Sequence, residues 1–163
     1  MQNLDNLELG TIEREVYVDA TPAVVYEVVS SPEHIAEWFP DEAAYEPVAG
    51  AVGTIAFETP DGKVVETISI VEAEPPRTFS FRWTMPAGES AAAGNSLLVT
   101  FTLTASGSGT TVRMAETGFR ARGWEAAVLE ATFHEHAGGW SQILPRLAPY
   151  VASVAADTWG ARA

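Results

Sequence analysis

The 163-residue sequence has no cysteine, a single lysine (Lys63) and three histidines. Without cysteine there is no disulfide, no thiolate nucleophile and no cysteine-ligated metal. Basic residues number 9 against 22 acidic ones, a formal net charge of −13, and the arginines are scattered singly. Nucleic-acid surfaces neutralise phosphates with clustered Lys and Arg. Nucleic acid is therefore excluded as a partner, and so is an anionic membrane. The acidity reads as solubility. No apolar run reaches the roughly eighteen residues of a membrane span. Residues 1–10 are polar and acidic, lacking the basic and apolar stretches of a secretory signal, so the expected location is the cytoplasm. There is no G-x-S-x-G elbow, phosphate loop or dinucleotide fingerprint. No catalytic residue is assigned on these grounds, and no cofactor is expected.

What is present is a core-forming sequence: 47% of residues are hydrophobic, and the length suits one domain. Ile12 to Val18 alternates as a strand, with Ile12, Arg14, Val16 and Val18 on one face. Thr21-Pro22 carries the N-cap and first-turn proline of a helix, and Ser31-Pro32 repeats the signal for a second, ending near Trp38. Strands are predicted over 52–58, 64–71, 78–84, 96–104 and 110–117. Thr59-Pro60-Asp61-Gly62 and Pro75-Pro76 mark turns between them. Phe79, Phe81 and Trp83 share one strand face, with Ser80 and Arg82 opposite. Val112, Met114 and Glu116 share another. Residues 85–94 form a small-residue loop, expected to be mobile and near the mouth of any site.

From Trp124 to about residue 151 the pattern is helical. At about 100° per residue, Leu129, Phe133, Trp140, Leu147 and Val151 fall within about 20° of one line. An apolar stripe of that length must lie on something broad, and a sheet is the only broad surface available. Pro145 removes the bond to the Ser141 carbonyl and is expected to kink the helix. The predicted fold is α+β: a helix-grip domain over residues 11–152, with tails 1–10 and 153–163. A curved antiparallel sheet of six to seven strands surrounds the long C-terminal helix, and two short helices follow the first strand. A bent sheet cannot touch a straight helix everywhere, so a cavity is expected between them.

Four stretches carry a family resemblance: Ile12 to Val16 leading into Asp19-Ala20-Thr21-Pro22; Ser31-Pro32-Glu33-His34 followed by Trp38-Phe39; Glu116-Thr117-Gly118-Phe119; and Gly138-Gly139-Trp140 followed by Leu144 and Leu147. In order and spacing they resemble the SRPBCC superfamily of START-like and birch-pollen-allergen-like proteins. Within it they look most like the family named after the activator of the heat-shock protein 90 ATPase. That superfamily includes carriers, cyclases, hydroxylase subunits and chaperone activators, so the resemblance implies a pocket and leaves its use open. The leading expectation is a small apolar or aromatic ligand. The alternatives are a cyclase-like enzyme using the same cavity and a chaperone-activator-like module with a protein partner.

The ligand-binding candidates are Trp38, Phe57, Phe81, Trp83, Met114, Glu116, Phe133, His136 and Trp140. Core packing accounts for many of these aromatics by itself. The resemblance puts Trp38 and Trp140 beside the cavity, with Trp38 at its entrance. Alternation puts Phe79, Phe81 and Trp83 opposite Trp140. An inward Glu116 would place a carboxylate on the cavity wall. Its alternative is a strand-end pair with Arg14, Arg120 or Arg122. As an acid or base it could work with His136 or Tyr17. His134-Glu135-His136 invites a metal reading, but helix positions two apart diverge by about 200°. No metal is expected; His134 should be exposed and His136 partly buried. Gly138-Gly139 costs roughly 1 kcal/mol per glycine in a helix, which a close neighbour, a bend or a ligand would have to offset.

Overall fold

The computed structural model describes residues 10–83, 91–92 and 94–162, with side chains through Val154. Its first strand, β1 (Thr11–Val18), buries Ile12 and Val18 and exposes Glu13, Glu15 and Tyr17, as period-two alternation requires. Helix α1 (Pro22–Ser30) starts where Thr21 Oγ1 accepts the Val24 N–H at 3.5 Å. It buries Val25, Val28 and Val29. Helix α2 (Pro32–Ile35) is one turn long, and Ser31 makes no side-chain cap to it.

Six more strands follow: β2 (Glu42–Ala44), β3 (Val52–Thr59), β4 (Gly62–Glu74), β5 (Thr78–Trp83), β6 (Leu97–Ser106) and β7 (Gly109–Thr117). They form one antiparallel sheet in the order β1-β7-β6-β5-β4-β3-β2. Strand β2 escapes sequence patterning because Glu-Ala-Ala carries no β-branched or aromatic residue. Tertiary contact supplies it instead: Gly53 on β3 lacks a Cβ where one would collide with the Ala44 carbonyl and Tyr45. Strand β4 outruns its predicted end, because a register shift between Ile70 and Glu72 ejects Val71 to solvent and lets pairing continue to Glu74. Ser80, expected outward, is buried there; its Oγ accepts from Glu72 N at 3.1 Å and donates to Glu72 Oε1 at 3.3 Å.

The C-terminal helix is two segments, α3 (Ala126–Ile143) and α4 (Leu147–Arg162), joined by a 3₁₀ turn at Leu144–Arg146. The break falls at Pro145, which has no N–H to give to Ser141. The helix begins two residues later than expected and runs past residue 151. Phe133, Trp140, Leu144, Leu147 and Val151 are buried, whereas Leu129 is only half-buried. Its apolar stripe lies on the inner face of the sheet. Arg14, on the inward face of β1, donates to Ser141 Oγ and to the Ala137 carbonyl, both at 3.3 Å. His34 Nδ1 and Tyr150 Oη, 2.8 Å apart, join α2 to α4.

Candidate functional site

Glu116 is fully buried on β7, in line with Val112 and Met114 and paired in register with Ile12 and Val99. Three donors converge on its carboxylate. Trp83, at the end of β5, donates its indole N–H to Oε2 at 2.7 Å. Trp140 donates to Oε1 at 2.9 Å. His136 Nδ1 lies 2.9 Å from the same oxygen. His136 and Trp140 are one helical turn apart and so reach one point from α3. An indole N–H only donates, and a carboxyl gives up its proton well before an imidazolium does. The proton between His136 and Glu116 therefore sits on Nδ1. Helix and sheet are stapled through one anion, with both oxygens in use.

Beside this staple, β3 to β5 and α3 enclose a partly open cavity of about 320 Å³. Phe39, Phe57, Trp83 and Trp140 form its aromatic walls, and Thr59, Val64, Glu66, Glu135, His136, Gly139 and Ile143 complete it. The walls are packed ring on ring: Phe39–Trp140 centroids are 4.9 Å apart, Phe39–Trp83 5.5 Å and Trp83–His136 5.3 Å. Burial pulls the His136 pKa down. The bond to Glu116 and the fields of Glu116, Glu135 and Glu66 outweigh it and lift the ring above its ordinary value of 6.5. Glu66 is also raised, by burial first and by Glu116, with His136 opposing.

Of the sequence candidates, Phe57, Trp83, His136 and Trp140 line the cavity, and Glu116 lies one layer behind them. Phe81 and Met114 are fully buried in the core, and Phe133 packs on Phe119 at 5.3 Å. Trp38 is not at the entrance. It is buried beneath α1, donates to the Val28 carbonyl at 3.2 Å and packs on Phe101. The turn after α2 presents the next residue, Phe39, to the cavity instead. The aromatic face of β5 also divides. Trp83 meets Trp140 at 6.4 Å, while Phe79, at the far end of the strand, packs on Tyr26 and Tyr45.

Glu116 has no arginine partner among the described residues, and Tyr17 is exposed on the other face of β1. His134 is exposed and His136 half-buried. Among the described residues no group of three or more His, Asp and Glu is placed to hold a metal. A Cβ at Gly138 or Gly139 would meet nothing within 4 Å, so no strand approaches there, and Gly139 adds room to the cavity. The small-residue loop expected at the mouth, 85–94, lies outside the described residues except for 91, 92 and 94. Glu66 was missed, although it shares a face of β4 with Ile68 and Ile70, both buried. A carboxylate in phase with a buried pair was the available signal.

A curved antiparallel sheet gripping a C-terminal helix over an aromatic cavity is a helix-grip domain of the SRPBCC kind. The chain belongs to the family described as Activator of Hsp90 ATPase homolog 1-like protein, whose family model matches residues 19–152. It is similar to the crystal structure of protein MLL2253 from Mesorhizobium loti: 22% identity, TM-score 0.68, covering 88% of this chain and 97% of that one. It is similar to the solution structure of the Aha1 dimer from Colwellia psychrerythraea at 18% identity and TM-score 0.63, over 86% and 95% of the two chains. DynU16, a protein of the dynemicin biosynthetic locus, is 25% identical with TM-score 0.66; the match covers 88% of this chain and 47% of DynU16. No sequence among the curated proteins matches this one. No helix among the described residues is long and apolar enough to cross a membrane.

Proposed function

We propose that the chain binds a small apolar, aromatic molecule in the cavity between the sheet and α3, with residues 11–152 as the binding unit and the cytoplasm as its location. The observation that carries this is the wall of four aromatic residues around a space that Gly139 leaves open. A volume of about 320 Å³ suits a bicyclic or tricyclic ring system, at the lower end of the about 300–1,000 Å³ of ligand pockets. Phe39, Phe57, Trp83 and Trp140 make the flat contacts, and His136 is a polar point within reach beside Thr59, Glu66 and Glu135. Trp38, Phe81, Met114, Phe133 and Glu116 support them from behind. Similarity to a protein of a biosynthetic locus agrees with a small-molecule role.

Gly139→Leu tests this reading. Its Cβ meets nothing within 4 Å and the rest of the side chain takes cavity space, and leucine is the better helix former. The melting temperature is expected to hold or rise. Affinity for N-phenyl-1-naphthylamine, followed by its fluorescence, is expected to fall about tenfold or more, since a filled pocket excludes its ligand. Unchanged affinity would place binding elsewhere.

A protein partner is the second reading, favoured by the exposed valines Val52 and Val65, which share the outer face of β3 and β4, and by similarity to the Aha1 dimer. Exposed apolar side chains grouped on a sheet suit a contact surface. Replacing Val52 and Val65 with threonine would weaken a partner complex and leave naphthylamine binding unchanged, since neither lines the cavity.

A further inference from the structure

We propose that His136 is a general base acting on the molecule held in the cavity: its Nε2 removes a proton from an acidic carbon and so drives an elimination or a double-bond shift. The inference rests on the cavity-binding reading and adds an activity to it.

The geometry comes first. Glu116 is fully buried and pinned by two indole N–H groups, so it cannot swing away from His136. Its bond to Nδ1, at 2.9 Å, fixes which nitrogen carries the proton. Trp83 at 5.3 Å and Phe119 at 5.6 Å flank the ring and hold its plane. No described group bonds to Nε2, and that atom is not among the buried side-chain atoms left without a partner. It is therefore not sealed off, and His136 is part of the cavity lining. A histidine needed only for packing has no reason to leave its basic nitrogen there, backed by an immobile carboxylate.

The surroundings then select the chemistry. Glu116 from β7, Glu66 from β4 and Glu135 on α3 are the charged groups around the ring, and together they lift its pKa despite burial. Raising the conjugate acid makes the neutral ring a stronger base toward the proton it takes. What would stabilise an oxyanion is missing. Both indole N–H groups are spent on Glu116, and the described lining holds no Lys or Arg. Acyl transfer leaves its negative charge on oxygen and needs such donors. An elimination does not, because the charge departs with the leaving group or spreads through the aromatic ligand. The C–H bond breaks and its proton goes to Nε2. The C–H electron pair forms the new π bond, and the leaving group departs with its own pair. The imidazolium then returns the proton to water.

5-Nitrobenzisoxazole is a flat bicyclic probe of that step. Loss of its C3 proton forms the nitrile, breaks the N–O bond and releases a coloured cyanonitrophenolate. The wild-type protein is expected to turn it over, with kcat/KM rising with pH through one ionisation, as neutral His136 forms. His136→Ala and His136→Gln are each expected to lose about a hundredfold or more, within the usual range for a positioned base. The Gln variant can keep a hydrogen bond to Glu116, which separates loss of the base from loss of the fold; both are checked by thermal unfolding. Glu116→Gln is expected to move the ionisation to lower pH, because the carboxylate that favours the imidazolium is gone. The unreactive 6-nitrobenzotriazole, followed by tryptophan quenching, reports binding alone. Binding without turnover, or turnover that survives both His136 variants, would overturn the base and leave the cavity reading standing. Failure of both nitrobenzotriazole and naphthylamine to bind would overturn both.

Discussion

Glu116→Gln is expected to lower the unfolding free energy by about 3 kcal/mol, because it leaves buried donors unpaired and breaks a buried charge pair. The carboxylate faces three N–H groups, two on Oε1 and one on Oε2. A glutamine of the same shape offers one oxygen and one NH2. Turned one way, its NH2 meets the Trp83 indole; turned the other, it meets Trp140. Neither indole can accept. The loss should also depend on pH. His136 is raised in the folded state, so its pair with Glu116 contributes fully below the unfolded value of about 6.5. That contribution disappears as pH rises through the higher folded value. Urea denaturation of wild type and variant should therefore give the larger gap near pH 6 and a smaller one near pH 9. A gap that widens toward alkaline pH would mean that His136 is not charged in the fold. Base strength and stability run in opposite directions here: the pH at which Nε2 becomes free to take a proton is the pH at which the pair stops contributing.

Much of this site is written in short-range patterns. Period-two alternation puts Glu116 on one face with Val112 and Met114, and the helical period puts His136 beside the apolar stripe, one turn before Trp140. Pro145 places the helix break. Their convergence on one carboxylate is not legible, because it depends on how far α3 slides along β7 and on where β5 ends relative to both. Those offsets are set by packing across the whole sheet. Trp38 and Phe39 show the same limit at single-residue scale. Both are aromatic and adjacent, and the choice between core and cavity depends on one turn after α2, which no periodicity governs. Strand β2 exists because Gly53 makes room for it, a property of the partner strand and not of Glu42–Ala44.

Trp140→Ala is expected to have the largest effect on stability, about 4 kcal/mol, in the range for truncating a buried tryptophan. Its ring contacts Phe39 at 4.9 Å, Phe101 at 6.2 Å and Trp83 at 6.4 Å. Those contacts are lost together, and Glu116 Oε1 loses a donor. Trp140→Phe separates the two contributions. It keeps an aromatic ring in place and removes the N–H, so it should cost about 1.5–3 kcal/mol, the usual value of a hydrogen bond to a charged group. Ligand affinity should follow a different order. If Trp140 is a binding wall, Phe retains most of the affinity for naphthylamine, and Ala loses about a hundredfold at a temperature where it is still folded. Equal affinity in all three proteins would show that Trp140 serves the staple alone and that the ligand rests on Phe39, Phe57 and Trp83. Loss in Phe as large as in Ala would point instead to the indole N–H, and so to Glu116 and the orientation of His136, as the part of the wall that matters.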